Sequence, residues 1–155
     1  MRRLSCLVVE DQALIGLALQ VSLEDLGYEV AGPFGRADQA LNWLEDRTPD
    51  LALLDVLLKD GPCLPVAREL RARGVPFAIY SGLKPPSPPA PEFQEVPWLE
   101  KPVSRELLAT TLSRLSREVS LIAVVTPSRP EPVRRNEGPP VQTDAAPLNA
   151  ANGLI

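Results

Sequence analysis

Histidine is absent from this 155-residue chain, and that one omission removes several kinds of chemistry. No His-based catalytic triad, no phosphohistidine donor and no Cys/His zinc site can be assembled from it. Cysteine is nearly absent as well. Cys6 lies inside an apolar run and Cys63 beside a turn, without C-x-x-C spacing, so both read as unpaired packing thiols. There is no run of about 18 apolar residues and no apolar signal core with a cleavage site at the N-terminus. The expectation is a soluble, cytoplasmic protein without a membrane partner. A basic stripe is also missing: the net charge is −4 and the pI about 4.9, which argues against a nucleic-acid partner. Nor is there a glycine-rich phosphate loop after the first apolar run, where nucleotide and flavin binders of α/β type need one; Glu10-Asp11-Gln12 stands there instead.

What is present is a repeating order of short apolar runs and helical patterns. Leu4, Cys6, Leu7, Val8 and Val9 form a continuous run that stops at Glu10 and Asp11, as expected of a strand buried on both faces. A helix follows over Ala13 to Leu26, with Leu14, Leu17, Ala18 and Val21 on one stripe and Gly27 as its stop. A second stripe, Ile15, Leu19, Leu23 and Leu26, exceeds what one buried face needs and is either core or a surface for a partner or a second copy. Tyr28 to Pro33 reads as a strand and Ala37 to Leu44 as a helix. Leu51 to Leu54 is another buried run ending in an acid, Asp55. A helix over Val66 to Arg73, a strand Phe77 to Tyr80 ending at Ser81-Gly82, and a short strand Trp98-Leu99 ending at Lys101-Pro102 follow. Ser104 can cap a last helix that carries Leu107, Leu108, Leu112, Leu115 and Val119.

Alternation of this kind implies a doubly wound α/β domain with a five-stranded parallel sheet over residues 1–120. Two segments break the pattern. Six of the fourteen residues from Lys84 to Pro97 are proline, so the fourth crossover helix is expected to be missing or very short. Six more prolines fall in the thirty residues from Thr126, and 121–155 is expected to be a disordered tail.

In such sheets the ligand site lies beyond the carboxyl ends of the strands. Here four of the five strands deliver polar groups there: Glu10 and Asp11, Asp55, Ser81 and Lys101. Three crowded carboxylates raise one another's pKa unless a divalent cation offsets them, and Mg²⁺ prefers oxygen ligands. Lysine and a hydroxyl are what is needed to hold the oxygens of a transferring phosphoryl group, with Asp55 as a nucleophile already ionised at neutral pH. Each residue alone has a plainer reading. Glu10-Asp11 suits a helix N-terminus, Asp55 a strand-end cap, Ser81-Gly82 a turn and Lys101 the surface. Their coincidence at one edge favours a site.

With these residues in place, the chain resembles the receiver domain of bacterial two-component response regulators over residues 3–120. The resemblance implies that Asp55 accepts a phosphoryl group and that Ser81 senses it. It implies that Asp11, Asp55 and the Leu57 carbonyl hold Mg²⁺, with Glu10 acting through water. It also implies a cis peptide at Lys101-Pro102 and puts Trp98 where a switching aromatic sits, with plain core as the other reading of Trp98. Pro76 to Gly82 and the short loop Val56 to Gly61 resemble the so-called FAT GUY single-domain regulators of alphaproteobacteria. Implied partners are a sensor histidine kinase or phosphotransfer protein and a downstream protein, reached by protein contacts; a homodimer is a further expectation. The expected protein is a phosphoacceptor with Mg-dependent self-phosphorylation and slow self-dephosphorylation, not a conventional enzyme. A phosphatase of haloacid-dehalogenase type wants an acid two residues after the nucleophile, and Leu57 is there. The remaining alternative is a receiver-like protein-binding domain that works without phosphorylation.

Overall fold

The computed structural model describes residues 1–125. In chain order the elements are β1 (Ser5–Val9), α1 (Ala13–Asp25), β2 (Glu29–Phe34), α2 (Ala37–Asp46), β3 (Leu51–Leu54), β4 (Leu57–Leu58), β5 (Gly61–Pro62), α3 (Leu64–Ala72), β6 (Phe77–Ser81), a 3₁₀ turn (Pro91–Phe93), β7 (Trp98–Glu100) and α4 (Arg105–Val125). Five strands form one parallel sheet in the order β2-β1-β3-β6-β7, while β4 and β5 pair as a separate antiparallel hairpin. Helices on both faces make this the doubly wound, five-stranded α/β fold. No helix among the described residues is long and apolar enough to cross a membrane.

The continuous apolar runs follow from burial on both faces. Along β1, Leu7 and Val9 enter one core cluster with α2 and α3, while Cys6 and Val8 enter the other with α1 and α4. In β3, Leu54 and Ala52 face the first cluster, Leu51 and Leu53 the second. Both cysteines are buried and unpaired; burial pushes the Cys63 thiol up to about 12 and the Cys6 thiol higher still. At the bulge between β1 and β2, Gly32 has φ +96°, and a Cβ there would meet the Val8 carbonyl oxygen at 2.6 Å. Only glycine fits that close approach.

The surplus stripe on α1 proves to be the other one. Leu19 and Leu23 are buried and Ile15 and Leu26 half-buried, so this stripe is core. Leu14, Leu17 and Val21 are 83%, 55% and 50% exposed. Their spacing is helical, but α1 lies on the sheet with the opposite side down.

The fourth crossover helix is reduced to the turn Pro91–Phe93, with residues 83–89 exposed before it. Arg68 holds this segment by an ion pair to Glu92, and Arg71 donates to the carbonyls of Glu92 and Gln94. At its end α4 continues through Val125, five residues past the boundary expected at 120. The rest of the 121–155 segment lies outside the described residues.

The hairpin after Asp55 closes the N-terminus of α2. Arg36, at the cap position, makes no side-chain cap; Asp60 does so across 23 residues, accepting from Ala37 N–H at 2.7 Å and Asp38 N–H at 3.0 Å. These bonds hold the Asp60 carboxyl below its ordinary value of 3.8. A depressed carboxylate stabilises the fold above its ordinary pKa and loses that contribution as pH falls through the folded value. Asp60→Ala should therefore lower the melting temperature at neutral pH, and the gap to wild type should close in acid. A gap that persists at the lowest pH would show that the carboxylate is not the cause.

Candidate functional site

The carboxyl ends of β1, β3, β6 and β7 meet where the winding of the sheet reverses between β1 and β3. Val9 is paired with Leu54, so Glu10 and Asp55 emerge side by side; Asp55 N–H donates to the Val9 carbonyl at 2.8 Å. Ser81 ends β6, and its carbonyl accepts from Lys101 N–H at 2.9 Å, which brings the two residues together. The Lys101-Pro102 peptide is cis, as the resemblance implies.

Lys101 Nζ donates to Asp55 Oδ2 at 2.9 Å and to Glu10 Oε2. The second Glu10 oxygen accepts from Gln12 N–H at 3.0 Å. Glu10, Asp55 and Ser81 are 3%, 8% and 1% exposed, so the ion pairs lie largely out of water. Burial pushes the Glu10 carboxyl up, opposed by the bonds from Lys101 and Gln12. For Lys101, burial alone would lower the pKa, but the bonds to Glu10 and Asp55 outweigh it and hold the ammonium above its ordinary range.

Oxygen atoms of Glu10, Asp11 and Asp55 lie within 4.8 Å of one another. The donor set is all carboxylate, partly buried and carries one counter-charge for three acids, which fits a hard divalent cation such as Mg²⁺. Leu57 opens the hairpin two residues after Asp55 and is 53% exposed.

Of the residues singled out from sequence, Glu10, Asp11, Asp55 and Lys101 are brought together directly, and Ser81 adjoins them through Lys101. Ser81 Oγ accepts from Leu83 N–H at 3.2 Å. Trp98 stands apart from the carboxylates. Its Nε1 donates to the Leu83 carbonyl at 2.8 Å and its ring meets Phe93 edge-on at 5.8 Å. Ser81 and Trp98 thus hold the same residue, Leu83, from two strands. Sequence reading missed Tyr80, over whose ring Lys101 Nζ sits at 5.1 Å. Its place beside Ser81 in a strand next to β7 was the available signal.

A family model for the response regulator receiver domain matches residues 6–113. The chain belongs to the response regulator receiver family. Over 69 residues this receiver is 32% identical to the transcriptional regulatory protein PdtaR of Mycobacterium tuberculosis, a match covering 44% of this chain and 34% of that one. The aligned stretch is thus about a third of that relative's length. Among solved structures, the receiver domain of a modulated diguanylate cyclase from Desulfovibrio desulfuricans G20 is similar at 26% identity and TM-score 0.66, covering 78% of this chain and 99% of that one. A CheY-like receiver domain from Methylobacillus flagellatus is similar at 26% identity and TM-score 0.63, with 74% and 99% covered. The receiver is therefore a phosphoacceptor-type signalling domain of a two-component system, with an acidic cluster compatible with Mg²⁺.

Proposed function

We propose that Asp55 accepts a phosphoryl group from a sensor histidine kinase or phosphotransfer protein in the cytoplasm, and that the product signals by protein contacts. The observation that carries this is Lys101 Nζ at 2.9 Å from Asp55 Oδ2, within the cluster that gathers Glu10 and Asp11. Asp11, Asp55 and the Leu57 carbonyl would hold Mg²⁺, and Glu10 would act through water. The ion would neutralise charge on the phosphoryl oxygens as transfer proceeds. An Asp55 oxygen attacks phosphorus, the donor's leaving group departs with its bonding electrons, and Lys101 follows the charge that moves onto the phosphoryl group.

Ser81 senses the product by turning its hydroxyl from Leu83 N–H toward a phosphoryl oxygen. That exchange frees the N–H of Leu83, whose carbonyl Trp98 holds, making Trp98 the second switch residue. The Pro76 to Gly82 motif and the short loop Val56 to Gly61 support a reading as a single-domain regulator of the FAT GUY type. The exposed stripe Leu14, Leu17 and Val21 supplies a face for the donor protein or for a second copy of the chain.

Intact mass after incubation with Mg²⁺ and acetyl phosphate tests the reading. Wild type should gain one phosphoryl group only when Mg²⁺ is present, and Asp55→Ala should gain none. A mass gain retained by the variant would remove Asp55 from its role. No gain with acetyl phosphate or with phosphorylated kinases would leave a binding domain that works without phosphorylation.

A further inference from the structure

Lys59 is a second cation near this site, carried on the hairpin that follows Asp55. The hairpin that carries it is fixed from behind by the two Asp60 bonds to the start of α2, and Lys59 N–H donates to the Gly35 carbonyl at 3.1 Å. Its side chain folds back over Gly35. A Cβ placed on Gly35 would find Lys59 Cε, Lys59 Nζ and the Asp11 Cα each at 3.6 Å, so the ammonium and the Asp11 backbone border the same space that a glycine leaves open. Among the described residues Lys59 forms no ion pair. Asp60, its neighbour, is committed to α2, and Lys101 already takes Glu10 and Asp55.

Formal charge shows what an unpaired ammonium does there. Three carboxylates and Lys101 leave the site at −2, and a divalent cation brings it to zero. A neutral pocket has no net attraction for a phosphoryl donor, which is itself an anion. Lys59 leaves the metal-loaded site at +1, while reducing the pull of the empty site on the cation by one charge.

We propose that Lys59 is a positioning residue which weakens Mg²⁺ binding and speeds capture of the anionic phosphodonor. This rests on the phosphoacceptor reading for the donor and on the acidic cluster alone for the metal. The two effects have opposite signs, which a merely structural role would not produce.

The test is a charge series at one exposed position: wild type, Lys59→Arg, Lys59→Met and Lys59→Glu. Mg²⁺ affinity is read by calorimetry without any phosphodonor, and the phosphorylation rate with acetyl phosphate is read at saturating Mg²⁺. From Lys to Met to Glu, Mg²⁺ should bind tighter by about threefold to tenfold per charge and phosphorylation should slow by a similar factor. Lys59→Arg should match wild type, and added salt should flatten both trends. Mg²⁺ affinity that is unchanged across the series, or that falls together with the rate, would overturn the assignment. The calorimetric arm needs no phosphoryl transfer, so failure of Asp55 to accept phosphate would appear separately, in the wild type.

Discussion

Lys101→Ala should destabilise the receiver by about 3 kcal/mol in Mg²⁺-free buffer, because removing one partner of a buried ion pair strands the other. Here it strands two. Glu10 and Asp55 would be left side by side, 3% and 8% exposed, with the cation that bridges them gone. Part of the loss should return when Mg²⁺ is added, since a divalent cation supplies the missing charge to the same carboxylates. Denaturant unfolding of wild type and variant, each with and without Mg²⁺, measures both terms. The variant should gain more from Mg²⁺ than wild type does. Equal gains would mean that Lys101 and the metal do not share the same acids.

Truncating Leu23 should cost about 2–5 kcal/mol, whereas Leu14→Ser and Leu17→Ser should each stay within about 0.5 kcal/mol of wild type. Leu23 is fully buried in the cluster shared by α1, the sheet and α4, and its loss leaves a cavity among close-packed neighbours. Leu14 and Leu17 are 83% and 55% exposed, so truncating them removes little packing. The same denaturant curves decide the matter. A costly Leu14→Ser in the isolated chain would mean that this face is covered in solution, and the concentration dependence of the transition would show whether a second copy covers it.

The sheet was legible because a parallel strand covered on both faces must be apolar at every position, and Leu51 to Leu54 and Cys6 to Val9 are written that way. The site was legible for a related reason. Parallel strands all deliver their last residues to one edge, so Glu10, Asp55, Ser81 and Lys101 had to converge once the strands were placed. The side of α1 that packs could not be read, since both of its stripes are apolar and only the seating of Leu19 and Leu23 on the sheet separates them. The β4–β5 hairpin was equally hidden: strands of two residues carry no periodicity. Asp60 and Lys59 owe their roles to contacts across more than twenty residues, with Ala37, Asp38 and Gly35, which local pattern cannot reach.

The segment from Leu83 to Pro91 decides which experiments can watch this receiver switch. Five of its nine residues are prolines, so it offers few amide protons to hydrogen exchange or to amide-detected magnetic resonance. A backbone survey would find only four amides in that segment, those of Leu83, Lys84, Ser87 and Ala90. The indole proton that Trp98 donates to Leu83 is the natural reporter in its place, visible both as a resolved resonance and through the emission of its ring.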